Sequence, residues 1–280
     1  MVKTMLIDFE ERFGVFLKEY IKNNDIDEED LEEIITDLYL QWLGAPCDWL
    51  DGKSPNSYFD SHDAAGLIEA LGKYIFSGVS VPGSLLIKIE EKREQTYPFL
   101  ISLLKNYEGE KSAEIKAVIV QLIEEMQMQH PFDYYIEVIA EASEADDFTE
   151  ACAQELGDTG EDYKEKVILA YEQAQSSYSS DCFLDILTDL PYDERTFGFA
   201  LEKFLYNDSQ RAFYASCLGK LGNEKALPYL EEALKEESLT YYDYVSIKNA
   251  LEELGGEINI ERDFTGDKDY ESLMNMEDKI

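Results

Sequence analysis

Residues 211–238 read RAFYASCLGKLGNEKALPYLEEALKEES. Small residues and leucines run to Leu221, Gly222 interrupts them, and a second apolar stripe follows. In that second stretch Ala226, Leu227, Leu230, Ala233 and Leu234 fall at i, i+1, i+4, i+7 and i+8, one face of a helix. Glu224, Glu231, Glu232 and Glu236 take the opposite face. A glycine just past the last apolar residue is a helix stop signal. The stretch therefore reads as helix, tight turn, helix.

Working outward, the same small apolar ending recurs in ACAQELGD (151–158), DILTDLPYDE (185–194) and KNALEELGGE (248–257). Aligned on the last leucine, the anchors are Leu156, Leu190, Leu221 and Leu254, spaced by 34, 31 and 33 residues. Leu122 lies 34 residues upstream of the first, and Ile89 lies 33 before that. Each anchor but the last is followed by a break and a second apolar-periodic stretch: PFDYYIEVIAEA, EDYKEKVILAYEQA, DERTFGFALEKFLY and NEKALPYLEEALKE, with YPFLISLLKNYEG as the partner of the Ile89 helix. GVSVPGSLLIKIEE at 78–91 is the only stretch with a β flavour, and it continues into a helix. One helix pair cannot bury its own apolar stripe, so neighbours must stack over a continuous core. The expected fold is all-α, an α-α superhelix over residues 81–257.

Residues 211–238 resemble the HEAT-like repeats of the phycobilisome-lyase type, in which a small-residue helix ends in L-G and an A-L-P-x-L helix follows. With the period, the resemblance runs over roughly residues 85–257, Pro191 replacing the glycine and EEM following Leu122. It implies a HEAT-like or armadillo-like solenoid.

Residues 1–80 fall outside the period and read as a small helical module. Two amphipathic helices are expected, FEERFGVFLKEYIKN and EEDLEEIITDLYLQWL, the second opening on Asp27, Glu28, Glu29 and Asp30, favourable at the positive end of a helix dipole. WLGAPCDWLDGKSPNSYF at 42–59 follows, holding both tryptophans and an L-D-G-K-S-P turn that Lys53 serves. This stretch resembles the W-L-x-x-P-x-x-x-L-x-G-x-[ST]-P element of the toxin-binding domain of Xre/MbcA/ParS-type antitoxins. Trp42, Leu43, Pro46, Leu50, Gly52, Ser54 and Pro55 match, and LIEALGKYIFSGV at 67–79 looks like that domain's closing helix and glycine. The resemblance implies contact with a protein partner.

Trp42 and Trp49 either pack the module's own core or form an exposed aromatic contact surface of the kind enriched in interface hot spots. Tyr241, Tyr242 and Tyr244 open the last repeat, as Tyr134 and Tyr135 open an earlier helix. Such rings fill packing between repeats or, exposed beside acids, suit a Lys- or Arg-rich segment. The candidate partner-binding residues are Trp42, Trp49, Asp51, Lys53, Tyr58, Tyr241, Tyr242 and Tyr244. Residues 258–280 form an acidic tail that leaves the repeat as a capping or mobile extension.

Forty-five per cent hydrophobic residues, with 19 Tyr and 14 Phe, provide a core, while 61 Asp+Glu against 24 Lys+Arg give a formal net charge of -37. Such a surface repels phosphate backbones and anionic headgroups, which disfavours direct nucleic-acid or membrane binding and favours a basic protein partner. No secretory h-region or spanning run is visible, so a cytoplasmic location is expected. Cys47, Cys152, Cys182 and Cys217 lack C-x-x-C spacing and read as small buried hydrophobes.

His62 and His130, the only histidines, have no metal-site spacing and read as solvated or capping residues. No nucleophile turn or phosphate loop is present. NNDIDEEDLEE (23–33) lacks the glycine of a calcium loop and has Thr36 where a bidentate glutamate is needed; DFTGDKDYE places Gly266 one residue early. No metal and no cofactor is expected. The reading is a non-catalytic scaffold presenting an acidic concave surface to a basic protein. Alternatives are a DNA-mimic or antitoxin-like regulator and a HEAT-like lyase-type enzyme.

Overall fold

A computed structural model describes residues 6–24, 26, 28–258 and 262–277. Asp25, Asp27 and the side chains of residues 28–30 and 33, to which the sequence assigned a helix-start charge cluster and an acidic loop, lie outside the description.

Every regular element among the described residues is helical. The helices are α1 (Phe9–Asn24), α2 (Glu28–Gly44), α3 (Ala64–Ser77), α4 (Gly83–Glu91), α5 (Arg93–Asn106), α6 (Ser112–Glu125), α7 (Phe132–Glu141) and α8 (Asp147–Gly157). They continue with α9 (Glu161–Gln173), α10 (Ser177–Asp189), α11 (Glu194–Tyr206), α12 (Arg211–Leu221), α13 (Leu227–Ala233), α14 (Tyr241–Glu253) and α15 (Lys268–Glu277). No strand occurs among the described residues: α3 closes on Gly78 at φ +67 and α4 begins at Gly83, so the β flavour of 78–91 resolves into a link and a helix. No described helix is long and apolar enough to cross a membrane.

The chain divides into two compact units, one of residues up to Pro131 with Asp146–Ala151, the other of Phe132–Ala145 and residues from Cys152 onward. The loss of repeat at residue 80 is a division in sequence; the division in packing falls at 131/132.

All six anchors, Ile89, Leu122, Leu156, Leu190, Leu221 and Leu254, are buried, and each lies at or near the end of an even-numbered helix from α4 to α14. In the second unit α10 packs on α12 and α12 on α14, while α9, α11 and α13 fill in beside them. The core there joins Leu184, Phe204, Tyr214, Leu218, Leu230, Leu234, Ile247 and Leu251. Helix starts use short polar side chains that accept from orphan amides. Asp193 accepts from the Arg195 N–H, Ser176 from Ser179 and Thr240 from Asp243. Gly222 closes α12 at φ +66, a left-handed conformation that a Cβ would strain.

Gly219 has a different reason. A Cβ there would collide with the Glu253 carboxylate and sit 3.2 Å from the Ala250 Cα. Its absence lets α12 and α14 approach closely.

The tail contributes to this unit. Helix α15 packs on α14, and Phe264 and Tyr270 each lie 5.2 Å, ring to ring, from Tyr241.

Candidate interaction surfaces

In the first unit the 42–59 element is a closed loop. The Cys47 N–H donates to the Lys53 carbonyl and the Gly52 N–H to the Cys47 carbonyl, with Asp51 at φ +52 and Gly52 at φ +81. Ser54 caps the next turn by accepting from the Ser57 N–H, and Pro55 is buried as its first residue. Lys53 thus serves the turn through its backbone, while the Asp51 and Lys53 side chains are exposed.

The two tryptophans differ. Trp42 is 5% exposed and Trp49 38% exposed, their rings 6.5 Å apart and near parallel. Phe13 packs on Trp42 at 5.4 Å, and Phe9 lies edge-on to both Trp49 (5.9 Å) and Tyr58 (5.7 Å). The Arg12 guanidinium lies 5.4 Å from the Trp49 ring centre, within cation–π range. Trp42 is core; Trp49 and half-buried Tyr58 form the rim.

The second-unit tyrosines separate in the same way. Tyr244 is buried, Tyr241 is half-buried against Phe264 and Tyr270, and Tyr242 is 63% exposed. Asp267 accepts from the Tyr241 N–H at 3.1 Å, tying the tail to the start of α14. Residues 263–267 of the second acidic stretch form a turn in which Asp263 accepts from Thr265 and Asp267 from the amides of Asp269 and Tyr270. Those bonds hold both carboxyls below the usual carboxylate range.

One expectation is corrected in part. His130 is not solvated: it is 8% exposed, with Nε2 3.1 Å from the Glu124 carboxylate. The ring is enclosed by packing while its carboxylate partner Glu124 stays 64% exposed. Cys152 and Cys217 are buried and Cys47 and Cys182 half-buried. Burial pushes the Cys217 thiol up to about 12, which keeps it protonated and unreactive at neutral pH.

Sequence reasoning missed a ladder of ion pairs. Lys166 reaches Asp133 at 2.5 Å, Arg195 reaches Glu165 at 3.0 Å, and Lys225 reaches Glu194 at 2.6 Å, across 33, 30 and 31 residues. The base near the start of each odd-numbered helix pairs with the acid near the start of the odd-numbered helix before it, through α7, α9, α11 and α13. Arg195 also grips Asp193, whose carboxyl it holds down to about 2.

Further along the same helices stand Glu141, Glu172, Glu202 and Glu231, spaced by 31, 30 and 29 residues. All four are exposed, and they lie seven or eight residues beyond Asp133, Glu165, Glu194 and Glu224, about two helical turns. Among the described residues none of the four has an ion-pair or side-chain hydrogen-bond partner. Glu231 feels Lys235, but that ammonium is held by Glu232 at 2.7 Å. The ladder, with a base and an acid at each step, was legible in the period by aligning the odd-numbered helices on their charges; the acid row was not. No family model, curated protein or solved structure matches this chain.

Proposed function

We propose that the protein is a non-catalytic binding scaffold whose second unit, a HEAT-like stack of helix pairs, presents an acidic face to a basic protein partner. The observation that carries this reading is the row Glu141, Glu172, Glu202 and Glu231, exposed on successive odd-numbered helices and without an ion-pair partner among the described residues. The ladder pairs Lys166, Arg195 and Lys225 with acids of neighbouring helices, so the charge of these three bases is already engaged. What is left is a run of carboxylates at helical-repeat spacing, to which an extended basic segment would be steered by the charge of -37. Leu169, three residues before Glu172 on α9, is exposed and adds apolar area beside that acid.

A second reading concerns the first unit. Trp49 stands partly exposed on a rigid turn with Arg12 above it, which suits an aromatic hot spot and the resemblance of residues 42–79 to an antitoxin's toxin-binding domain.

The test is capture of partners from lysate of the source cell with the full-length chain, with a Glu141→Gln, Glu172→Gln, Glu202→Gln, Glu231→Gln variant and with Trp49→Ala. A stoichiometric basic protein retained by the parent and by Trp49→Ala, and lost by the Gln variant, supports the scaffold reading. Loss with Trp49→Ala alone moves the function to the first unit. Identical profiles for all three chains contradict both readings.

A further inference from the structure

The first unit holds a cavity of about 550 Å³ between the segment before α1, the turn before α3, and α3 itself. Leu6, Ile7 and Ala70 line it with five aromatic or imidazole rings, those of Tyr58, Phe59, His62, Tyr74 and Phe76. Two walls are fixed: Phe59 and Tyr74 are almost wholly buried, and the Tyr74 hydroxyl donates to the Ile7 carbonyl at 3.0 Å. The volume falls in the range of small-molecule sites, and planar rings in offset or edge-on contact suit a flat aromatic guest.

The electrostatics are unlike those of the rest of the molecule. In a chain with 61 acids, no Asp or Glu among the described residues lines this cavity; its ionisable residues beside the two tyrosines are Lys73 and His62. The cleft beside Arg262 has Glu237, Asp263 and Asp267 in its wall, and the one between α3 and α5 has Glu69. Lys73 lines the cavity with its side chain 58% exposed, whereas the Phe59 and Tyr74 rings are almost wholly buried. The present partner of Lys73 is Glu69 at 2.6 Å, itself 68% exposed, and a pair that open to water is exchanged at little cost. His62 Nδ1 is buried without a hydrogen-bond partner, an unmet polar group of the kind that bound ligands relieve.

We propose that this cavity binds a planar aromatic monocarboxylate, its ring among Tyr58, Phe59, Tyr74 and Phe76 and its carboxylate beside the exposed Lys73. A cation would meet Lys73 in the wall, where the nearby acid, Glu69, is already held by that ammonium. A polyanion would be repelled by the whole surface. A single carboxylate kept beside the exposed Lys73 stays partly hydrated while its ring is buried, which is the cheapest arrangement for an amphipathic guest. The site is independent of the acidic row in the second unit.

The experiment is isothermal titration of the full chain with 2-naphthoate, 2-naphthamide and 2-naphthylmethylammonium, three probes of one ring system that differ in charge. The expected order is naphthoate tightest, naphthamide weaker by about tenfold for the lost charge-assisted bond, and the ammonium weakest. Lys73→Met keeps the aliphatic stem and removes the charge, so naphthoate falls to the level of naphthamide while far-UV circular dichroism is unchanged. Ala70→Leu, which takes up cavity volume, weakens all three. Because Lys73 is exposed, its variant folds even if the Ala70 variant does not, and it decides the matter alone. Absence of naphthoate binding at about 1 mM, ammonium binding as tight as naphthoate, or an anion preference that survives Lys73→Met would each overturn the proposal.

Discussion

Helix α12 has 11 residues and buries Ala212, Tyr214, Ala215, Cys217, Leu218, Gly219 and Leu221; α1 has 16 residues and buries Phe9 alone. Both are helices with apolar periodicity, and the difference lies in what covers them. Helix α12 has α10 and α11 on one side and α14 on the other, so three neighbours remove it from water. Helix α1 meets its surroundings through rings, Phe9 on Trp49 and Tyr58 and Phe13 on Tyr39 and Trp42, and leaves Val15 exposed. A repeat obtains burial from its neighbours on both sides, whereas the aromatic module has to make do with a few large side chains in edge-on contact.

The comparison breaks most visibly under core truncation. Leu218→Ala should cost about 4 kcal/mol, since Leu218 is fully enclosed, whereas Leu17→Ala on half-buried α1 should cost about 1 kcal/mol, both read by urea denaturation. Equal losses would mean that α1 is as well packed as α12. Within the aromatic cluster, Trp42→Ala should cost about 3 kcal/mol and Trp49→Ala about 1 kcal/mol, because only Trp42 is enclosed.

Gly219→Ala sharpens the account of close helix approach. The Glu253 side chain can swing aside, but the Ala250 Cα at 3.2 Å cannot, so a loss of about 1–2 kcal/mol is expected. A neutral or stabilising result would show that α12 and α14 have slack.

The smallest effect belongs to the ladder. Its members are exposed, so a Glu165→Gln, Arg195→Met double-mutant cycle should give only a small favourable coupling at neutral pH, weaker still in high salt. Arg195 lowers the carboxyls of Glu165 and Asp193, so their contribution holds above the unfolded values near about 4 and is lost as pH falls through the folded ones, to about 2 for Asp193. The stability gap between parent and Arg195→Met should therefore close in acid. A gap that widened below about pH 4 would contradict this assignment.

Much of the helical architecture was legible in the sequence because one spacing recurs: five leucines and Ile89, about 33 residues apart, predicted six buried helix ends, and all six are buried. The L-D-G-K-S-P segment was legible as a turn because Asp51 and Gly52 adopt positive φ, a backbone state that those residue types tolerate. His130 was misread because its surroundings are set by Glu124 and the packed end of α6, not by its neighbours in sequence. The acid row escaped notice because in a chain this rich in acids a carboxylate carries no signal until its possible partners are known to be engaged elsewhere. The cavity was illegible because Ile7, Tyr58, His62 and Tyr74 come from three separated segments that only the fold assembles.

The claim that the carboxylate row of the second unit is the binding surface is tested most directly by zero-length carbodiimide crosslinking of the captured complex, read by mass spectrometry. That chemistry joins a carboxylate only to an amine in direct contact. The account predicts crosslinks from Glu141, Glu172, Glu202 and Glu231 to lysines of the partner. Crosslinks confined to acids around the Trp49 turn, or spread evenly over the acidic surface, would contradict it.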